Sequence, residues 1–498
     1  MSFFFVKRIG KLERFLQVFG NGCIFIGIFR KQKYMQDFVH LHVHTQYSIL
    51  DGQASIPRLV DKAIADGMKG IAVTDHGDMF GIKEFFNYVN KKNGKTNGEI
   101  KDLKKRIAGL EKGKIECENP EEELAKAKEE LAKAKAKLFK PIIGCEMYVA
   151  RRRLYNKEGK PDQSGYHLVV LAKNEKGYHN LIKLVSKAWT EGYYMRPRTD
   201  RVELEKYKEG LIVCSACLGG EVPKKITRGM LSDAEEAIQW YKSVFGEDYY
   251  LELQLHKATV ARANHEAYEL QLKVNEKLIE YSKKYGIGLV CTNDVHFVNE
   301  EHAEAHDRLI CLSTGKDLDD PTRMLYSKQE WMKTTAEMNE IFGHIPEALA
   351  NTVKICDQVE FYSIDHAPIM PNFEIPEDFG TEEGYRQKYT EEDLFNEFTR
   401  DEKGNVVLSQ ADAEAKIEKL GGYDKLYRIK LEADYLKKLT MDGAKKYYPN
   451  MTPEIEDRLI FELHIMKTMG FPGYFLIVQD FIWAARNLLG VSVGPGRG

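Results

Sequence analysis

Three histidines alternate in the stretch FVHLHVHTQYSILDG: His40, His42 and His44, with Asp51 seven residues further on. In an extended segment alternate side chains share a face, so the imidazoles line one side and Leu41 and Val43 the other. Imidazole and carboxylate groups ligate transition-metal ions. A solvated strand face would carry the same pattern, so the triplet is ambiguous by itself. The other apolar runs tip the balance. GIAVTDH ends at Asp75 and His76, PIIGCE ends at Glu146, YHLVV begins with His167, LIVCSAC ends at Cys217, and LVCTNDVH ends at Asp294 and His296. In a parallel α/β barrel the C-terminal strand ends converge on one mouth. Five independent strand ends, each offering a metal-type ligand, are hard to obtain as a solvated face.

The mixture of nitrogen and carboxylate donors suits Zn, Mn or Fe better than Ca. About nine ligands exceed what one tetrahedral zinc takes and fit two or three ions sharing bridging carboxylates. Such clusters activate water and neutralise phosphate oxygens during in-line displacement, so phosphoester hydrolysis is the expected reaction class. Simpler roles compete at several positions. Asp51 in LDG could shape a turn. Asp75 is expected behind the ligands, holding an imidazole. Cys214 and Cys217 form a CxxC with no second copy in the chain. It closes a strand, which argues against thioredoxin-like chemistry and assigns Cys214 to the core. His179, His256, His265, His302, His306, His344, His366 and His464 are assigned to the surface or to helices.

Positioning these residues takes a strand–helix alternation, which runs from Phe38 to about Pro321. Seven strands are expected over 39–44, 70–76, 141–150, 166–173, 210–217, 249–255 and 288–296, with helices over 56–67, 175–189 and 265–286. This predicts an α/β fold with parallel strands, closed into a distorted seven-stranded (β/α) barrel. Beyond 325 the strands thin out and helices dominate. Two polar segments interrupt the rhythm. In 91–140, Ile100, Leu103, Ile107 and Leu110, then Leu124, Ala127, Leu131, Ala134 and Leu138, have three–four spacing. Two helices folded back on each other would use it; a solvated charged insertion is the reading the composition favours. The second segment, 399–436, looks similar in kind. Residues 1–34 are set apart as an N-terminal extension, disordered or translated from a misassigned start.

With 498 residues the chain can bury two or three cores. A net charge of −3 means that a nucleic-acid partner would have to be met by local basic patches. Eight cysteines without small-domain spacing suggest the reducing cytoplasm. No apolar run is long enough to span a bilayer, and residues 1–34 lack the single apolar core of a signal peptide.

The motifs HLHVHT with Asp51, VTDHGDMFG, GCEMYV, YHLVVLAKN, SACLGGEV and TNDVHF resemble the PHP (polymerase and histidinol phosphatase) family of metal-dependent phosphoesterases. LYSKQEWM, GFPGYFLIVQDFIWAAR and VGPGRG extend the resemblance, over residues 35–498 apart from the two polar segments, to the bacterial replicative DNA polymerase III alpha subunits. The resemblance implies a PHP domain over 35–325 and the helical start of a polymerase palm over 326–498. It places metal ligands at His42, His44, Asp51, His76, Glu146, His167, Cys217, Asp294 and His296, and leaves His40 out. The complete set implies a metal-loaded site with 3′–5′ exonuclease activity. It also implies a nucleotide-phosphate loop at Gly494, Gly496 and Arg497. The family's catalytic aspartates, which hold Mg for nucleotidyl transfer from deoxynucleoside triphosphates to a DNA primer-template, are expected beyond Gly498. The implied partners of the longer protein are a sliding clamp, a clamp loader and a proofreading subunit. Two alternatives stand beside this: a barrel that keeps metals for stability and docks a separate proofreading subunit, and a stand-alone PHP phosphatase.

Overall fold

Short runs of aliphatic residues make strands in this chain because both of their faces are covered. The computed structural model describes residues 4–9, 12–18, 24–29, 35–112, 115, 119–366, 369 and 371–494. Strands β1 (Phe4–Ile9), β2 (Leu12–Val18) and β3 (Ile24–Phe29) fall in the N-terminal extension and form an antiparallel meander. The second sheet holds β4 (Gly70–Val73), β5 (Lys140–Val149), β6 (Tyr166–Ala172), β7 (Arg198–Thr199), β8 (Leu211–Cys214), β9 (Tyr249–Leu253) and β10 (Gly288–Cys291). Its order is β10-β9-β8-β6-β5-β4, with β7 on β5.

The sheet is mixed, not parallel as the alternation predicted. β6 runs antiparallel to both β5 and β8. The β5–β6 connection carries only the one-turn helix Gly159–Asp162, and without a crossover helix the chain turns back on itself. The reversal matters for the site. It brings the start of β6, where His167 sits, to the mouth at which the parallel strands end.

The expected first strand, 39–44, makes no regular ladder, yet it closes the sheet into a barrel. Ala72 N–H donates to His40 O and Thr74 N–H to Val43 O on the β4 side; His44 N–H donates to Val295 O and Val295 N–H to His42 O beyond β10. Alternate strand residues fill the inside: Ala72, Ile142, Val169, Leu171, Ile212, Cys214, Tyr250 and Val290 form one cluster with Val39 and Leu41. The intervening residues, Ile71, Val73, Ile143, Val170, Val213 and Leu251 among them, pack outward in a second core with helix residues such as Leu59, Phe85, Leu184 and Ile238.

This compact unit continues to Ile364, past the border placed at 325. The reason is apolar: Ile355, Cys356 and Val359, on or just after the helix Pro346–Gln358, join the cluster inside the barrel. Met332, Met338 and Phe342 join the outer core. Within the first polar segment, helices Gly94–Glu111 and Pro120–Ala136 pair with each other. Ile100, Leu110, Ala127 and Ala134 are buried, and Arg106 meets Glu123 and Glu130 across the pair. The three–four spacing therefore described a helical hairpin.

The second unit, Asp365–Gly498, is helical. Its core joins Tyr385, Leu394 and Phe398 to Ile417, Leu426, Tyr427 and Leu431. The last four belong to the segment expected to be a charged insertion. That segment is amphipathic and supplies one side of this core. Among the described residues no helix is long and apolar enough to cross a membrane.

Candidate metal centre

Along four of the barrel strands the inward positions change from apolar to histidine or carboxylate on approaching one mouth. Ile142 leads to Glu146, Ala72 to His76, Val290 to Asp294, and Val169, on the reversed strand, back to His167. All nine residues implied as ligands meet there. Glu146, buried, stands at the middle. Its Oε1 lies 3.2 Å from His42 Nε2, 2.9 Å from His167 Nδ1 and 3.7 Å from Cys217 Sγ. Its Oε2 lies 2.6 Å from His76 Nδ1 and 3.6 Å from His44 Nε2. Asp294 Oδ1 lies 3.1 Å from His42 Nε2 and 3.2 Å from His44 Nε2. Asp51 Oδ2 lies 2.8 Å from His76 Nε2 and 3.5 Å from His296 Nε2.

Six of these buried atoms pair only within the cluster, and in none of those contacts with good hydrogen-bond geometry: His42 Nε2, His44 Nε2, His76 Nδ1, Glu146 Oε2, Asp294 Oδ1 and His296 Nε2. Buried polar atoms are normally paired. Here they converge within ligand distance of one another, in the overlapping groups His44–His76–His296, His42–His44–Asp294 and His76–Glu146–His167. Imidazole and carboxylate donors in three overlapping groups suit divalent metal ions.

Outer hydrogen bonds fix which imidazole nitrogen faces inward. His42 donates from Nδ1 to Glu252 Oε1 at 2.7 Å. His44 donates from Nδ1 to Ser48 Oγ at 3.0 Å, and the Ser48 hydroxyl donates to Asp75. His296 donates from Nδ1 to the Asp294 carbonyl at 2.8 Å. Each leaves Nε2 free as a ligand atom, the usual arrangement at metal sites. Asp75 thus sits one group further out than expected. It grips Thr45 and Ser48, and Ser48 carries the hold to His44.

Backbone strain gathers at the same mouth. Leu50, Ala216 and Asp294 have φ of 63°, 61° and 45°, a conformation costly for residues with a Cβ. Two of them directly precede Asp51 and Cys217, and the third is itself in the cluster. Gly52 fits only as glycine, since a Cβ there would lie 2.0 Å from Thr45 O. Gly219 packs under His167, whose ring would be 3.0 Å from an added Cβ.

The charges are strongly interdependent. Burial opposes a charge on His42, but Asp294, Glu252 and Glu146 outweigh it and hold the imidazole well above its usual range. Burial also opposes charge on Glu146, and His167, His42 and His76 hold it well below the carboxylate range. His44 goes the other way: burial, with His76 and His296 beside it, pushes it down to about 3. His296 is raised to about 9 by Asp51 and Asp294 against its burial.

Several groups were not legible as site residues. Glu252 on β9 and Tyr326, whose hydroxyl donates to Asp51 Oδ1 at 3.0 Å, both support cluster members. A glutamate inside the apolar run YYLEL was the available signal for the first. His256 and His306, assigned to surface or helix, are both buried. His256 bonds to the Asn293 carbonyl, and His306 lies edge-on to Tyr326 and tilted beside His296. His40 is also buried, but it spends Nε2 on the Lys333 carbonyl and takes no part in the cluster. Cys214 lies in the core as expected. Of the implied phosphate loop, Gly494 is exposed, and Gly496 and Arg497 lie outside the described residues. A pocket of about 740 Å³ opens over the cluster and is lined in part by Asp51, His76, His167, Cys217, Asp294 and His296.

Residues 40–256 match the family model described as the PHP domain, and residues 434–498 match that described as the bacterial DNA polymerase III alpha NTPase domain. Asp294 and His296 lie beyond the first match, in the segment that follows β10. The chain is 37% identical over 464 residues to DNA polymerase III subunit alpha of Borreliella burgdorferi, covering 93% of this chain and 31% of that one. It is 33% identical to the subunit of Treponema pallidum, covering 93% and 31%, and 35% identical to that of Thermus aquaticus, covering 93% and 34%. It therefore spans about a third of the length of these relatives. With both family models matched in order and the relatives aligned along almost its whole length, the chain carries a PHP domain followed by sequence like that of the bacterial DNA polymerase III alpha subunits.

Proposed function

We propose that the barrel is a metal-dependent phosphodiesterase that removes nucleotides from the 3′ end of a DNA strand. His42, His44, Asp51, His76, Glu146, His167, Cys217, Asp294 and His296 would hold two or three ions of Zn, Mn or Fe. The observation that carries this reading is the set of six buried nitrogen and oxygen atoms that crowd together without well-aligned hydrogen bonds. Bound ions would activate water and neutralise phosphate oxygens. The protein's part is to hold the donors in place: Glu252 and Ser48 orient His42 and His44, and Tyr326 steadies Asp51. A closed cage would serve stability alone, whereas these residues open onto a pocket, as a reacting site requires.

For the longer protein the proposed activity is DNA-directed DNA synthesis in the cytoplasm, with Mg, deoxynucleoside triphosphates and a primer-template as substrates and a clamp and clamp loader as partners. Residues 365–498 would begin its palm. Metal content, measured beside hydrolysis of a 3′-mismatched primer for wild type, His44→Ala and Asp294→Asn, tests the exonuclease reading. Two or three ions per chain, with cleavage lost in both variants, is the expected result. Ions without cleavage would leave a metal-stabilised barrel that docks a separate proofreading subunit, and absence of ions would overturn both.

A further inference from the structure

One rim of the pocket carries aromatic side chains that the cluster does not use. Trp189 closes the helix Glu175–Thr190 and stacks on Tyr193, with ring centroids 5.6 Å apart and planes 18° apart. Phe80 also meets Trp189, tilted, with ring centroids 5.7 Å apart. Burial would be the ordinary fate of three such rings, yet Phe80 is 54%, Trp189 39% and Tyr193 48% exposed. They are held, not frayed. The Trp189 indole N–H donates to the Gly77 carbonyl at 2.8 Å, one residue past His76. All three line the pocket that exposes His76 and Asp294. Arg196 lines it too, exposed, with its guanidinium 5.9 Å from the centre of the Tyr148 ring.

Exposed aromatic faces beside a cation, continuous with a phosphoesterase-type cluster, match one ligand chemistry. Bases stack on aromatic rings whatever their sequence, and a guanidinium takes the phosphate between them. We propose that Phe80, Trp189 and Tyr193 form a stacking platform for the unpaired bases of a single-stranded polynucleotide, with Arg196 on its backbone. This rests on the phosphodiesterase reading for the role of the strand, and it adds the substrate class: a strand frayed from its template, not a duplex. Stacking of this kind gives little base preference, which suits a site that must accept any terminal nucleotide.

The test is anisotropy of a 5′-fluorescein-labelled oligodeoxythymidylate, compared with an abasic strand of equal length, on the 498-residue protein. The wild type is expected to bind the strand with bases more tightly. Trp189→Ala and Tyr193→Ala are each expected to weaken that binding roughly five- to tenfold and to leave abasic binding unchanged. Trp189→Phe should restore most of the difference, and Arg196→Ala should weaken both strands alike. Because Tyr193 is exposed, its variant reports even if Trp189→Ala disturbs the fold. Equal binding of the two strands by the wild type, or unaltered binding in both alanine variants, overturns the platform and leaves the rim to a protein partner. Primer hydrolysis separates the two readings. Base-dependent binding without cleavage sinks the hydrolysis and keeps the platform; cleavage indifferent to Trp189 and Tyr193 does the reverse.

Discussion

His76 Nδ1 and Glu146 Oε2 lie 2.6 Å apart, in ion-pair contact but outside good hydrogen-bond geometry. An imidazole nitrogen and a carboxylate oxygen held this close without a well-aligned hydrogen bond are both available to a third group. The same holds for His42 Nε2 against Asp294 Oδ1 at 3.1 Å.

Glu252 touches no pocket solvent and holds His42 from behind. Glu252→Gln keeps the shape and loses the charge. Metal affinity is expected to fall roughly 10- to 100-fold, as for other groups that orient a ligand. Competition titration with a chelator measures it, while circular dichroism should show the fold intact.

Gly52→Ala would drive a Cβ against the Thr45 carbonyl, which is backbone and cannot swing away. The loop carrying Asp51 must move. A stability loss of about 1–3 kcal/mol by denaturant unfolding is expected, together with a lower metal content than wild type.

Removing metal should destabilise the first unit. Ions that bind the folded barrel alone stabilise it by mass action, about 2.7 kcal/mol at a hundredfold excess over Kd. Thermal unfolding in chelator should therefore begin lower than in excess Mn or Zn. A transition that ignores metal would mean that the cluster binds none.

Asp307 and Arg323 form a buried two-pronged ion pair, with contacts of 2.6 and 2.8 Å. Burial pulls the Asp307 carboxyl up, and Arg323 more than offsets it, leaving the group below its usual value. A depressed carboxylate contributes stability that is present above its unfolded pKa, about 3.9, and is lost as pH falls through the lower folded value. Asp307→Asn should cost about 3–5 kcal/mol at neutral pH by leaving Arg323 unpaired. The gap to wild type should shrink in acid. Asp307→Asn combined with Arg323→Met should recover much of the loss.

The inward histidines and carboxylates were legible because each stands at an end of an apolar strand, where such a residue stands out. Asp51 was legible as a spaced acid that follows the histidines. The antiparallel course of β6 was hidden, since strand–helix alternation looks the same whichever way one strand runs. Glu252, Ser48 and Tyr326 were hidden for another reason. Their work depends on which residue lies across the barrel, and contacts between Tyr326 and Asp51 or between Glu252 and His42 span most of the domain. The buried residues of 410–431 were masked by their charged neighbours, because a helix with one thin apolar stripe has the composition of a solvated one.

The barrel seam also sets an order of events during synthesis. Segment 38–44 and the segment after β10 are the first and last pieces of the sheet to leave the ribosome, and they meet through His44 N–H to Val295 O and Val295 N–H to His42 O. His42 and His44 can meet Ser48, Glu146 and Glu252 earlier, but Asp294 and His296 join them only at the end. The nascent chain cannot complete the cluster before the whole sheet has been made, because the contacts that close the barrel seam also bring the last members of the cluster into place.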